Sequence, residues 1–252
     1  MSGHSKWATI KRKKGAADAA RGAKFSRLIK EITVAARLGG GDINGNPRLR
    51  TAVLAARGAN MPNANIDRAI AKATGDGEGA QLEESLWEAY GPGGSSLLVM
   101  VMTDNKNRTA SEIRHLFQKG GATVADVGSV AYKFTRRGQM YINPEAGLDE
   151  DTVMMTALDG GAEDVRGDGE GWEVLTDPAS LYEVREALEK AGLKPTEVRL
   201  AYIPNNTIPV TGDKAASLLK LIDKLEDHDD VQNVFSDYEI DDAELERLNA
   251  EE

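Results

Sequence analysis

The sequence predicts an α+β protein with three domains: a helical N-terminal domain and two α/β domains, one inserted into the other. Three observations support this prediction. Apolar residues recur at helical spacing up to about residue 75, and short β runs alternate with helices after residue 85. The elements of residues 97–134 have the order βαββ and lack a final helix and strand. A helix and a strand near the end of the chain would complete that domain. The length of 252 residues is enough for one to three domains.

The predicted helical domain, residues 1–78, begins with a basic arm. Residues 1–15 contain five Lys and Arg residues and too few large apolar side chains to pack a helix. Between residues 16 and 38, steps of three and four separate the apolar residues Phe25, Leu28, Ile29, Ile32 and Ala36. This spacing predicts an amphipathic helix with one core face and one cationic face. Pro47 and Pro62 suit the first turns of two further helices, and glycines at 75–79 indicate a linker.

The inserted domain is predicted from the order of its elements. Short apolar runs and helical spacings follow one another as strand, helix, strand, strand, helix and strand at residues 139–143, 149–158, 163–166, 172–176, 180–191 and 197–203. This βαββαβ order is that of a ferredoxin-like domain, in which two helices cover one face of a four-stranded antiparallel sheet. We place this domain at residues 137–205.

The other α/β domain is predicted to be discontinuous, with residues 79–136 and 206–240 in one fold. Residues 97–103 read as a buried strand, a capping-box spacing at 109–112 begins a helix, and residues 124–134 supply further strand material. A helix at 213–225 and a strand at 231–238 complete it. We expect residues 241–252 to form a frayed acidic tail.

The composition excludes several classes of protein. The absence of cysteine rules out disulfides, thiolate zinc sites, iron–sulfur clusters and cysteine nucleophiles, and fits a reducing compartment. No apolar run approaches the roughly 20 residues that cross a bilayer, and the N-terminal sequence lacks a secretory apolar core. We therefore expect a cytoplasmic protein without a membrane partner.

The charge is divided unequally along the chain. Residues 1–75 contain 15 Lys and Arg against 4 Asp and Glu, whereas residues 76–252 contain 16 against 37. The net charge of -10 therefore conceals a basic head on an acidic body. Such an asymmetry indicates contact between the basic part and nucleic acid or another acidic surface.

No catalytic, metal or cofactor site is predicted. His4, His115 and His228 lie in three separate segments, so they do not form an acid–base cluster. The acidic turn around His228 could attract a divalent cation or be a solvated turn, and it lacks the spacing of a known metal motif. The loop at 90–94 could expose backbone N–H groups to phosphates; a tight turn before the next strand is the favoured reading.

A candidate anion site follows the strand at 97–103. There, Lys106, Asn107 and Arg108 lie at the predicted N-terminus of a helix, where unpaired N–H groups and the helix dipole favour anions. In the alternative reading, the Asp and Asn residues of this segment cap the helix.

The basic head contains the predicted nucleic-acid site. Cations in an arm and along a helix face can each neutralise a phosphate without a fixed geometry. Trp7 could stack on a base or anchor the arm to the protein. The predicted residues are Lys6, Trp7, Lys11, Arg12, Lys13, Lys14, Lys24, Arg27 and Lys30.

Six motifs together resemble those of the YebC-type probable transcriptional regulators. They are GHSKW (3–7), NPRLR (46–50), NMP (60–62), YGPGG (90–94), TDNKNRT (103–109) and GSVAYKF (128–134). The resemblance implies a helical domain followed by two α/β domains, the third inserted in the second. It also implies a cytoplasmic bacterial regulator that binds DNA, with mitochondrial relatives that activate translation and some bacterial members linked to relief of ribosome stalling.

We therefore predict a non-enzymatic nucleic-acid-binding regulator, with DNA at promoter regions as its partner. The alternative is a ribosome-associated translation factor that binds ribosomal RNA. Under a third reading, the acidic surface contacts RNA polymerase or a ribosomal protein. A rival from another class is an enzyme or sensor that binds an anionic ligand in the cleft between domains.

Overall fold

The structure is a computed structural model and describes residues 19–75, 82–144, 148–167 and 171–250. The described residues form the helices α1 (Ala19–Gly39), α2 (Pro47–Gly58), α3 (Asn63–Thr74), α4 (Lys106–Lys119), α5 (Glu150–Asp159), α6 (Leu181–Lys190), α7 (Gly212–Glu226) and α8 (Asp242–Ala250). The strands are β1 (Glu83–Tyr90), β2 (Ser96–Thr103), β3 (Thr123–Val124), β4 (Phe134–Ile142), β5 (Asp164–Gly167), β6 (Trp172–Thr176), β7 (Pro195–Pro204), β8 (Ile208–Pro209), β9 (Val231–Ser236) and β10 (Tyr238–Glu239). Within these ranges, each helix falls short of the length and apolarity that a membrane crossing requires.

Helices α1, α2 and α3 pack around one apolar core that includes Ile32, Leu49 and Ile66. The junction between α1 and α2 is held by Asn46, whose side chain accepts the N–H of Leu49 at 3.1 Å and donates to two carbonyls of the α1 end. A Cβ at Gly39 would lie only 2.6 Å from the amide nitrogen of Asn46, so this close approach requires glycine. The predicted helices of this unit are confirmed.

The inserted domain has the predicted ferredoxin-like topology. Its sheet has the order β5-β6-β4-β7 with every pair antiparallel, and α5 and α6 cover one face. Strand β4 begins at Phe134, three residues before the boundary expected from the sequence. The predicted α+β fold class is confirmed.

The discontinuous sheet has the order β3-β1-β2-β9, also antiparallel, with α4 and α7 on one face. A hairpin joins its two central strands, and each edge strand follows a helix. Strand β1 was not predicted. The predicted strand at residues 124–134 is wrong over most of its length, because residues 125–133 form turns and a short 3-10 segment.

A buried carboxylate holds the segment that replaces this predicted strand. Glu88 of β1 is 5% exposed and accepts the backbone N–H groups of Gly128, Val130 and Ala131 at 2.6, 2.6 and 2.8 Å. Burial opposes ionisation of Glu88, but these three bonds outweigh burial and lower its pKa. The segment is thus organised by hydrogen bonds to one carboxylate rather than by a sheet ladder.

The two sheets pack face to face. Along β2, Leu97 and Val99 lie against the helices α4 and α7, whereas the alternate residue Leu98 lies in a second cluster with Ile203 of β7 and Phe235 of β9. Both faces of the discontinuous sheet are therefore buried, which explains why β2 is apolar along nearly its whole length. The result is a layer order of helices, sheet, sheet and helices.

The predicted frayed tail is a helix over most of its length. Leu245 and Leu248 of α8 are buried in the same core as α7, and Glu244 accepts the N–H of Gly212 at 2.6 Å. Among the described acidic side chains of this helix, Glu246 is exposed on the outer side, while the apolar side completes the core.

Candidate nucleic-acid interface

The predicted nucleic-acid site divides into three parts in the structure. The arm residues Lys6, Trp7, Lys11, Arg12, Lys13 and Lys14 lie outside the described residues, so their role stays a prediction. Lys24, on the first turns of α1, is exposed. Arg27 and Lys30, on the face of α1 away from its own core, contact the α/β body.

Lys30 is held by the body through three acceptors. Its Nζ donates to the Asp230 carboxylate and to the Asp229 carbonyl, each at 2.8 Å, and to the Met102 carbonyl at 3.3 Å. One turn earlier, Arg27 donates to the Glu226 carbonyl at the C-terminal end of α7, where a helix dipole favours cations. The cationic face predicted for α1 exists, but these two cations dock the helical unit onto the body.

Asp230 is the centre of this docking contact. Its side chain is 7% exposed and, besides Lys30, it accepts from Arg108 at 2.8 Å, Thr109 at 2.7 Å and Thr103 at 3.1 Å. Burial opposes its ionisation, but the hydrogen bonds from Lys30, Arg108 and Thr109 outweigh burial and hold its pKa well below the ordinary 3.8. One carboxylate thus joins α1, the end of β2, the start of α4 and the turn before β9.

The two cations of the predicted anion site pair with carboxylates of the protein itself. Arg108 pairs with Asp230, while Lys106 pairs with Glu83 of β1. Asn107 is exposed on the first turn of α4. The helix is capped by Asn105, which accepts the N–H of Arg108 at 3.1 Å. Capping of this helix is therefore confirmed, and the charge of Arg108 neutralises an internal carboxylate. Binding of an external anion at Lys106, Asn107 and Arg108 stays a prediction.

A second contact attaches the helical unit to β1. Arg48 of α2 donates two bonds to Glu31 of α1, at 2.7 and 3.0 Å, and also pairs with Glu84 of β1. Desolvation lowers the pKa of Arg48, but hydrogen bonds to Glu84 and Glu31 outweigh it and raise the pKa above its ordinary value. A planar guanidinium that contacts two carboxylates fixes both position and orientation.

The histidine in the acidic turn belongs to a hydrogen-bond network. Glu112, His228 and Asp230 bring one ligand atom each within 4.8 Å of one another, a spacing compatible with a metal ion. However, Nδ1 of His228 accepts the N–H of Asp230 at 3.1 Å. In a neutral imidazole the proton is then on Nε2, which faces Glu112 at 3.0 Å. Since the Nδ1 lone pair is engaged by Asp230 and Nε2 carries the proton, neither ring nitrogen has a free lone pair for a metal, and this set is poorly suited to one.

The glycine-rich loop at 90–94 is a tight turn, as favoured from the sequence. The segment Pro92–Gly94 is a short 3-10 helix between β1 and β2, and Gly91 donates its N–H to the Ser95 carbonyl at 2.7 Å. Gly93 has φ of 75°, and a Cβ there would lie 2.7 Å from Val210. These glycines are required by backbone conformation and packing.

Two basic residues outside the predicted site also line the surface of the helical unit. Arg68 and Lys72 of α3 are exposed along a groove between α1 and α3. The sequence signal was present in their spacing of four, which places both on one helix face. This cationic face was not predicted, because α3 was identified from the spacing of its apolar residues alone.

Comparison with known proteins identifies the family. The model described as "TACO1/YebC protein N-terminal domain" matches residues 5–76, and that described as "TACO1/YebC second and third domain" matches residues 82–238. A "Probable transcriptional regulatory protein" of Solibacter usitatus is 53% identical over 249 residues, covering 99% of this chain and 100% of that protein. A protein of the same name from Syntrophus aciditrophicus is 52% identical over 251 residues, with coverage of 99% and 100%.

A solved structure supports the same assignment. The crystal structure of a conserved hypothetical protein from Aquifex aeolicus matches with a TM-score of 0.84 and 44% identity, over 92% of this chain and 96% of that chain. The family models span both the helical unit and the two α/β domains, and the relatives align over almost their entire length. The chain therefore belongs to the TACO1/YebC family.

Proposed function

We propose that this protein is a non-enzymatic, cytoplasmic regulator of transcription that binds DNA through its basic N-terminal region. The supporting observation is the division of charge, with 15 Lys and Arg against 4 Asp and Glu in residues 1–75 and the reverse excess in the body. Since phosphate backbones attract cations and are repelled by acidic surfaces, only the head is suited to nucleic acid. The names of the relatives, probable transcriptional regulatory proteins, support the regulatory class.

Within this proposal, the basic residues of the head have two roles. The arm cations and the exposed Lys24 contact phosphates, whose neutralisation releases counterions and provides affinity. Arg27 and Lys30 hold α1 against the body. Phosphate contacts of this kind position a protein on a duplex without specifying sequence, so we expect weak sequence preference.

The test is crosslinking in living cells followed by sequencing of the attached DNA and RNA. The wild type is compared with a variant in which Lys11, Arg12, Lys13 and Lys14 are changed to Ala. The control removes the same number of charges from exposed lysines of the body: Lys119, Lys194, Lys214 and Lys220. We expect enrichment at promoters that the arm variant loses and the control variant keeps.

Two results would contradict parts of this proposal. Enrichment on ribosomal RNA that depends on the arm would replace transcription with a role on the ribosome, where the same cations would contact RNA. Unchanged enrichment of promoter DNA in the arm variant would show that the arm does not provide the contact.

A further inference from the structure

We propose that the groove between α1 and α3 is a second nucleic-acid site, which binds the phosphodiester backbone. This inference rests on the proposed function and extends it to residues that no motif or arm includes. The groove has a volume of about 370 Å³. Its walls are Ile29, Lys30, Thr33 and Arg37 of α1, Asn65, Arg68, Ala69 and Lys72 of α3, and Leu82 at one end.

The groove carries positive charge without a compensating carboxylate in its lining. Four of its nine lining residues are Lys or Arg, and none is Asp or Glu. Asp67 is the acidic residue of α3, and it does not line the groove. Lys30 is neutralised by Asp230 outside this lining, so the charge offered to an approaching anion rests on Arg68 and Lys72.

Arg68 and Lys72 differ from Lys30 and Arg48, the two cations that attach the helical unit to the body. Lys30 pairs with Asp230, and Arg48 pairs with two glutamates. Among the described residues, by contrast, no carboxylate forms an ion pair with Arg68 or Lys72. They lie one helical turn apart on α3, a spacing at which like charges repel. If the two side chains had only a structural role, we would expect a carboxylate between them. A bound phosphate would relieve their repulsion in the complex with nucleic acid and leave it in the free protein.

The residue types in the groove match those that bind phosphodiesters. Protein contacts to nucleic-acid backbones come from Arg and Lys, from polar side chains such as Ser, Thr, Asn, Gln and Tyr, and from backbone N–H groups. Here, Asn65 and Arg68 lie on adjacent turns of α3, while Thr33 across the groove donates its hydroxyl to the Ile29 carbonyl at 2.8 Å. Arg68 and Lys72 are exposed at the groove, so a backbone phosphate can reach them. A duplex of DNA or RNA offers this chemistry, and both serve as probes.

The experiment measures binding of labelled duplex DNA and duplex RNA of random sequence to the full chain over a range of NaCl concentrations. The groove variant carries Arg68→Ala and Lys72→Ala. Its matched control carries Lys214→Ala and Lys220→Ala on α7, which removes the same charge from exposed positions of the body. A charge-keeping variant, Arg68→Lys with Lys72→Arg, tests whether the effect follows charge. Circular dichroism checks that each variant is folded.

Each lost phosphate contact lowers the slope of log K against log salt by about 0.9 for duplex DNA. The groove variant should therefore lose about 1.8 in slope and bind about 30-fold more weakly at roughly 0.15 M salt. The body control should match the wild type, and the charge-keeping variant should retain the wild-type slope. A larger effect on one duplex would identify which nucleic acid the groove accommodates.

The outcomes separate this inference from the proposed function. If the wild type binds a duplex but the groove variant has the same slope and affinity, the groove proposal is overturned and the arm remains as the site. If the wild type binds neither duplex, the proposed function itself is overturned. If the charge-keeping variant is as weak as the alanine variant, phosphate neutralisation is not the cause and the inference is also rejected.

Discussion

Replacement of Asp230 should loosen the attachment of the helical unit to the body. The carboxylate accepts hydrogen bonds from four side chains, two of them cationic, at 2.7–3.1 Å. Removing one partner of a buried ion pair costs about 3–5 kcal/mol, because the remaining charges lose their counter-charge. We expect Asp230→Ala to fall in this range. Asp230→Asn should cost about 2–3 kcal/mol, because it keeps an acceptor but loses the charge.

The assay is hydrogen exchange of the intact chain together with urea unfolding. Loss of the contact should lower protection in the first half of α1 and at the start of α4, since both depend on this carboxylate. Asp229→Asn is the matched control, because it removes the same charge from the neighbouring, exposed position. This control keeps the hydrogen bond from Lys30 to the backbone carbonyl of Asp229.

The effect of Asp230 should also depend on pH. Its pKa in the folded protein is lower than the ordinary 3.8. A depressed folded pKa contributes stability that is present above the unfolded value and is lost as the pH falls through the folded value. The difference in unfolding free energy between wild type and Asp230→Asn should therefore be constant near neutral pH and shrink below about pH 4.

The reasoning would be refuted by a specific result. If Asp230→Asn and Asp229→Asn had equal stability and equal exchange in α1 at neutral pH, the carboxylate would not hold the helical unit. A wild-type advantage that grew as the pH fell would contradict the assigned ionisation.

Two further substitutions test other contacts. Glu88→Gln replaces a carboxylate that accepts three N–H groups with an amide that has one acceptor oxygen. It should destabilise the chain by about 1–3 kcal/mol and speed hydrogen exchange at residues 128–131. Glu83→Gln at an exposed position is the control, and equal stability and exchange in the two variants would contradict the role of Glu88. Arg48→Lys keeps the charge but cannot contact Glu31 through two nitrogens, so we expect the free energy of unfolding in urea to fall by about 1 kcal/mol. Arg57→Lys on the same helix should leave that free energy nearly unchanged. Equal losses in the two variants would refute the role of Arg48 as a bridge between Glu31 and Glu84.

The parts of the fold that follow from local pattern were predictable. The inserted domain has one buried face on each element, so its βαββαβ order is visible in the sequence. Strand β1 was missed because its first half is exposed and a buried position holds the carboxylate Glu88. Periodicity cannot show that a glutamate is buried when its hydrogen-bond donors come from residues 128–131.

The candidate site shows the same limit at longer range. The acidic turn at 226–230 has the composition of a solvated loop, yet Asp230 is buried because Lys30 and Arg108 converge on it. These partners are separated from it by 200 and 122 positions in the chain. The cationic face of α1 was predictable from the helical wheel, but its docking surface was not, because the complementary charges lie in another domain.

The insertion also has a consequence for the order in which the chain can fold during synthesis. Strand β2 is paired on one side by β9, which the ribosome makes only after the whole inserted domain. Until then β2 has an open edge of Leu, Val and Met residues, which is an aggregation hazard. The inserted domain, by contrast, is contiguous from β4 to β7 and can close its own sheet early. Its free apolar face, with Leu175 and Ile203, then covers Leu98 of β2. The inserted domain can thus serve as a nascent-chain scaffold that shelters the unfinished sheet until β9 arrives.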